Sequence, residues 1–167
     1  MPVDIFAPMP RIEAVTHEQG YMASVEAFLP SLELLAVSGN QHARASALVS
    51  GLIVECLLKA YLARKNSKPG APGDAPKGHD LELLWSAAVQ AGLSIVPVAP
   101  AWCVVLNSLH FGNKDPENTG ENNPVPYELR YPLRYQSRMK GLTFPNTGEM
   151  LAGVQVLFDA VARVLSS

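Results

Sequence analysis

The 167-residue sequence predicts an all-α protein, an irregular bundle of about five helices with one extended segment near 127–135. Three observations predict it. Apolar residues recur at helical spacing in separate stretches along the chain. Two breaker-rich segments, 66–78 and 113–126, interrupt them. Alternation of period two, the mark of a half-buried strand, is confined to 127–140. No stretch repeats another, so the chain reads as one domain, 1–167, with an N-terminal arm at 1–14.

The first helix opens at Thr16, where Gln19 three residues on completes a capping-box pattern ahead of THEQGYMASVEAFLPSLELLAV. Pro30 lacks an amide hydrogen and is expected to kink or split this helix. Asn40 is a candidate cap for the second helix, from Gln41 to about Lys65. There Ala43, Ala47, Leu48, Leu52, Ile53, Cys56, Leu57, Tyr61 and Leu62 cover more than half the circumference, which marks the central helix of a bundle. NSKPGAPGDAPKG at 66–78 is too rich in proline and glycine for regular structure.

HDLELLWSAAVQAG then reads as a third helix of about three turns, with Gly92 as its C-terminal cap. AWCVVLNSLHFG gives a fourth, ending at Gly112. After the polar loop 113–126, the last helix is expected in TGEMLAGVQVLFDAVARVLSS, with Thr147 as its cap.

The segment 127–140, YELRYPLRYQSRMK, is different. Tyr127, Leu129, Tyr131, Leu133 and Tyr135 alternate with Glu128, Arg130, Pro132, Arg134 and Gln136. Drawn extended, one face is aromatic and aliphatic while the other is cationic, with Pro132 tolerated at an edge. A helix starting at Pro132 also aligns Arg134 with Arg138. The chain is expected to be extended up to Pro132, and both conformations stay open beyond it.

Composition removes several function classes. Thirteen Lys+Arg against fifteen Asp+Glu give a net charge of -2, so the chain as a whole offers no field for a polyanion and any nucleic-acid contact needs a local patch. Cys56 and Cys103 lie among apolar residues without a C-x-x-C pair and read as reduced core thiols. His17, His42, His79 and His110 never fall four apart, so no helical metal site is expected and no metal is assigned. No cofactor motif occurs: the glycines of 70–78 do not form a phosphate cradle, and Ser46, Ser50 and Ser108 lack a nucleophile-elbow pattern. MPVDIFAPMPRIEAV lacks the basic start and unbroken apolar run of a signal peptide. The most apolar windows, 47–62 and 93–106, contain Glu55 and Lys59 or are cut by Pro97 and Pro100, so a soluble, cytoplasmic protein without membrane contact is expected.

Three groups of residues remain as candidate sites. Glu55 and Lys59 sit four apart in the favourable order on the central helix. On a solvent edge such a pair contributes about 0.2 to 0.5 kcal/mol, whereas facing a groove it becomes a charged floor for a ligand. His79 and Asp80 precede the third helix, where either caps the first turn. His79 alternatively reaches the Glu55/Lys59 row as a proton donor or phosphate ligand. Arg130, Arg134 and Arg138 form a cationic row that is either a solvated edge or a set of phosphate contacts, spaced about 6 to 7 Å apart on an extended chain. Trp85 and Trp102 lie on apolar helices and read as core.

ECLLKAYL, a loop, GHDLELLW, ELRYP and an apolar last helix together make the chain, over about 41–165, resemble the HEPN family of helical domains. The resemblance implies a bundle of four or five helices that commonly forms a homodimer. It also implies work on RNA, or alongside nucleotidyltransferases and toxin/antitoxin partners in prokaryotic defence. Ribonuclease members carry Arg, four to six residues, then His near the start of a late helix. Here the only such spacing is Arg11 to His17, in the arm and first turn. The reading that follows is a non-catalytic module binding RNA, nucleotide or a nucleotide-handling protein. The alternatives are a ribonuclease using a displaced pair such as Arg11/His17, or His79 with Arg130, and a dimerising adaptor without nucleic-acid contact.

Overall fold

Thr16 opens the first helix as its sequence dictates. Its hydroxyl accepts from the Gln19 amide at 3.2 Å while the Gln19 side chain accepts from the Thr16 amide at 3.1 Å, so two orphan donors are satisfied reciprocally. The computed structural model describes residues 16–110 and 143–166, and its elements are five α-helices: α1 (His17–Val37), α2 (Ala43–Asn66), α3 (Leu81–Gln90), α4 (Ala101–His110) and α5 (Thr147–Leu165). A 3-10 turn, Gly39–His42, links α1 to α2, and no strand occurs among the described residues. The all-α expectation holds. The N-terminal arm, the loop 113–126, the extended segment near 127–135 and the expected stop at Gly112 lie outside the described residues, and with them Arg11, Arg130, Arg134 and Arg138.

Three local expectations are corrected. α1 runs unbroken through Pro30. The hydrogen bond that proline removes would have served the carbonyl of Glu26, and both residues are exposed, so the freed carbonyl is not an orphan in the core and the helix continues. Asn40 does not cap α2, which starts after the 3-10 turn with no side-chain cap. Its Oδ1 instead accepts from the Thr147 amide at 3.3 Å and the Thr147 hydroxyl at 3.2 Å, tying the α1–α2 connection to the start of α5. Thr147 is therefore the first helical residue, and the cap is Asn146, whose Oδ1 accepts from the amides of Gly148 and Glu149.

The third helix ends as its glycine predicts. Gly92 has φ +94°, the Gly92 amide donates to Val89 and the Leu93 amide to Ala88, so the last carbonyls are closed by a Schellman motif that buries Leu93. The buried Tyr61 donates its hydroxyl to the Ala91 carbonyl at 2.9 Å, fixing this corner to α2.

Every other helix packs against α2. Its Ile53, Val54, Leu57, Leu58 and Tyr61 are fully buried and meet Val25 and Leu32 of α1, Leu81 and Trp85 of α3, Leu106 of α4, and Met150, Val154 and Leu157 of α5. This is why α2 is apolar almost all round. α1 and the stretch 39–66 are both long and apolar enough to cross a bilayer; in 39–66 the apolar window is 72% buried inside the fold, whereas α1 keeps Leu34 and Val37 exposed. Trp85 and Trp102 meet edge to face at 6.3 Å, and Gly153 of α5 leaves room for the Trp102 ring, which an added Cβ would strike.

Candidate functional site

Glu55 and Lys59 do not line a solvent edge. Both are buried, at 8% and 6% exposure, and Lys59 Nζ donates to Glu55 Oε1 at 2.7 Å. A buried carboxylate needs more than one donor, and two histidines supply them. His79, immediately before the cap of α3, places Nδ1 2.9 Å from Oε1. His110, the last residue of α4, places Nε2 2.7 Å from Oε2. An ionised carboxylate only accepts, so both ring nitrogens donate. The imidazoles lie edge to face with centroids 6.5 Å apart.

The two histidines differ in access. His110 is 4% exposed and its ring occupies the space left by Gly51 on α2, where a Cβ would lie 2.6 Å from Nδ1. The His79 side chain is 60% exposed. With Nδ1 given to Glu55, the exposed imidazole keeps Nε2 for proton transfer or for a ligand.

Asn107, one turn before His110, holds the other side of the site. Its Oδ1 accepts from the Leu81 amide at 2.8 Å, and its Nδ2 donates to Asp80 at 3.1 Å and Glu82 at 2.9 Å. Asp80 is the cap, accepting from the amides of Glu82 and Leu83. His79 is therefore held by a fixed helix start on one side and by Glu55 on the other.

Burial opposes the charge on Glu55, but hydrogen bonds from His110, Lys59 and His79 outweigh it and hold the carboxyl at about 2, below the ordinary 4.5. A group depressed on folding stabilises the fold fully above its unfolded value, and that contribution is lost as pH falls from about 4.5 toward 2. A difference of this size corresponds to on the order of 3 kcal/mol. The thermal midpoint of the native chain is expected to fall more steeply across that window than that of Glu55→Gln. Parallel curves would show that Glu55 carries no such linkage.

Of the sequence-predicted residues, Glu55, Lys59 and His79 come together. His17 does not join them: its Nδ1 meets Asp74 at 3.1 Å in an exposed pair. Such a pair contributes little. Cys56 and Cys103 are free thiols, pushed up by burial to about 11 and about 12, which leaves them protonated and unreactive near neutral pH. His110 and Asn107 were not among the candidates. Their signal was polarity on an apolar face: Cys103, Leu106, Asn107 and His110 follow helical spacing, so two polar side chains had to be buried. No family model, no curated protein and no solved structure matches this chain.

Proposed function

We propose that the chain is a HEPN-like helical module that binds RNA or a nucleotide, with His79 at the rim of the site and Arg130, Arg134 and Arg138 meeting phosphates. The observation that supports this reading most is the meeting of Glu55, Lys59 and His79, residues of the two segments ECLLKAYL and GHDLELLW on which the resemblance rests. The 2.9 Å contact orients an exposed imidazole, so its free nitrogen meets a phosphate or ribose hydroxyl without first being ordered. Charge for the backbone comes from the arginine row, because Glu55, Asp80 and Glu82 outnumber Lys59 around His79. Titrating a short single-stranded RNA across a salt series tests the reading. Affinity is expected to fall with salt at a slope of about -0.7 per phosphate contacted, and to weaken in His79→Ala and again when the three arginines are neutralised. Affinity indifferent to salt and to these changes would remove the proposal.

A ribonuclease is the second reading, favoured by the carboxylate–histidine pair itself. A histidine whose Nδ1 is held by a carboxylate presents Nε2 as a general base, the arrangement that activates a ribose hydroxyl for attack on the adjacent phosphate. Pure protein would then cut RNA, and His79→Ala would not. Intact RNA under all conditions leaves binding alone.

A further inference from the structure

We propose that Glu55, His79 and His110 form a binding site for a divalent transition-metal ion of the zinc class. The inference is independent of the RNA reading. It rests on the donor set: two imidazoles and one carboxylate, from α2, the loop before α3 and the end of α4, bring one ligand atom each to within 4.8 Å of one another. Two neutral imidazoles and a carboxylate suit zinc and its first-row neighbours rather than magnesium or calcium, which take oxygen ligands.

The distances fit a small closure. Donors about 2.0 to 2.2 Å from zinc in a tetrahedron stand about 3.3 to 3.6 Å apart. The pair of His110 Nε2 and Glu55 Oε2, at 2.7 Å, opens slightly to admit an ion, while His79 Nδ1, 2.9 Å from Oε1, draws toward them. The adjustment is a small turn of the His79 ring, whose outer side is exposed, whereas His110 and Glu55 are fixed by burial. Three protein ligands leave a fourth position, on the exposed side beside His79. Glu55 has two oxygens, so the ion takes Oε2 while Lys59 stays on Oε1 as an outer donor that orients the carboxylate. The ammonium also competes with the ion by like charge. Lys59 therefore lowers affinity while shaping the site.

Cobalt(II), which reports four-coordinate geometry by its visible absorption, is the probe. Added to the metal-free full chain in the absence of RNA, it is expected to give a visible band saturating at one ion per chain and bleached by zinc(II). His79→Ala, on an exposed residue, is expected to weaken binding at least about tenfold, and Lys59→Met to tighten it by removing the competing charge. Absence of the band at millimolar cobalt, or an affinity that neither substitution changes, would overturn the proposal. RNA binding measured separately, with and without zinc, distinguishes failure of this site from failure of the RNA reading.

Discussion

Glu55→Ala is expected to destabilise the fold by about 3 to 5 kcal/mol, the cost of breaking a buried ionic cluster by removing one partner. The alanine leaves the Lys59 ammonium and the His110 imidazole buried with no carboxylate to accept from them. The size of the effect comes from the stranded groups more than from the lost bonds. A companion variant separates the two. Glu55→Leu with Lys59→Met removes both charges at similar volume and is expected to recover much of the stability. Denaturant unfolding with an unchanged m-value measures both. A loss below about 1 kcal/mol in Glu55→Ala would mean that water reaches the cluster and that the charges are solvated.

Asn107→Leu is expected to cost about 2 to 4 kcal/mol, although no charge is removed. Leucine fills a similar volume but accepts nothing, so the Leu81 amide, one of the orphan donors at the start of α3, is left in the core. An unsatisfied buried donor costs about 1 to 3 kcal/mol, and the bonds to Asp80 and Glu82 go with it. A second consequence separates this variant from a simple loss of stability. Once the start of α3 loosens, His79 loses its fixed approach to Glu55, so its ring resonances in NMR are expected to lose the signature of a held Nδ1 proton while α5 is unaffected. Asn107→Asp, which keeps an acceptor for Leu81 but faces two carboxylates, is expected to fall between. A loss under about 0.5 kcal/mol would show that α3 is capped adequately by Asp80 alone.

Much of this architecture was legible in the sequence because its rules are local. Thr16 with Gln19, the glycine at 92 and the apolar girth of α2 each depend on residues within a turn or two. The expectations that failed had distant causes. Asn40 has the chemistry of a cap and acts at a helix start, but the helix is α5, 107 residues on. Pro30 does not split α1, because the face it disrupts is exposed. The site divides the same way. Glu55 and Lys59 declared themselves by their spacing, and His79 by its place before a helix. His110 joins Glu55 across 55 residues, and nothing in the spacing of histidines along the chain anticipates a pair assembled from two separate elements onto a third. Such convergence is a product of helix packing, and a periodicity test on one helix is blind to it.

Gly51 has a wider meaning than the room it leaves for one ring. A glycine in the middle of a helix is disfavoured by about 1 kcal/mol against alanine, yet here the notch is cut where the end of α4 presses on α2. One turn along the same face in either direction stand Ala47 and Glu55. Sliding α4 by about 5.4 Å, one helical pitch, would drive the imidazole into a side chain instead of the notch. Gly51 thus works as a keyway: it sets the vertical alignment of two oily cylinders that could otherwise interlock at several heights. Relatives of this architecture should accordingly trade bulk between positions 51 and 110, a larger residue at one accompanied by a smaller at the other.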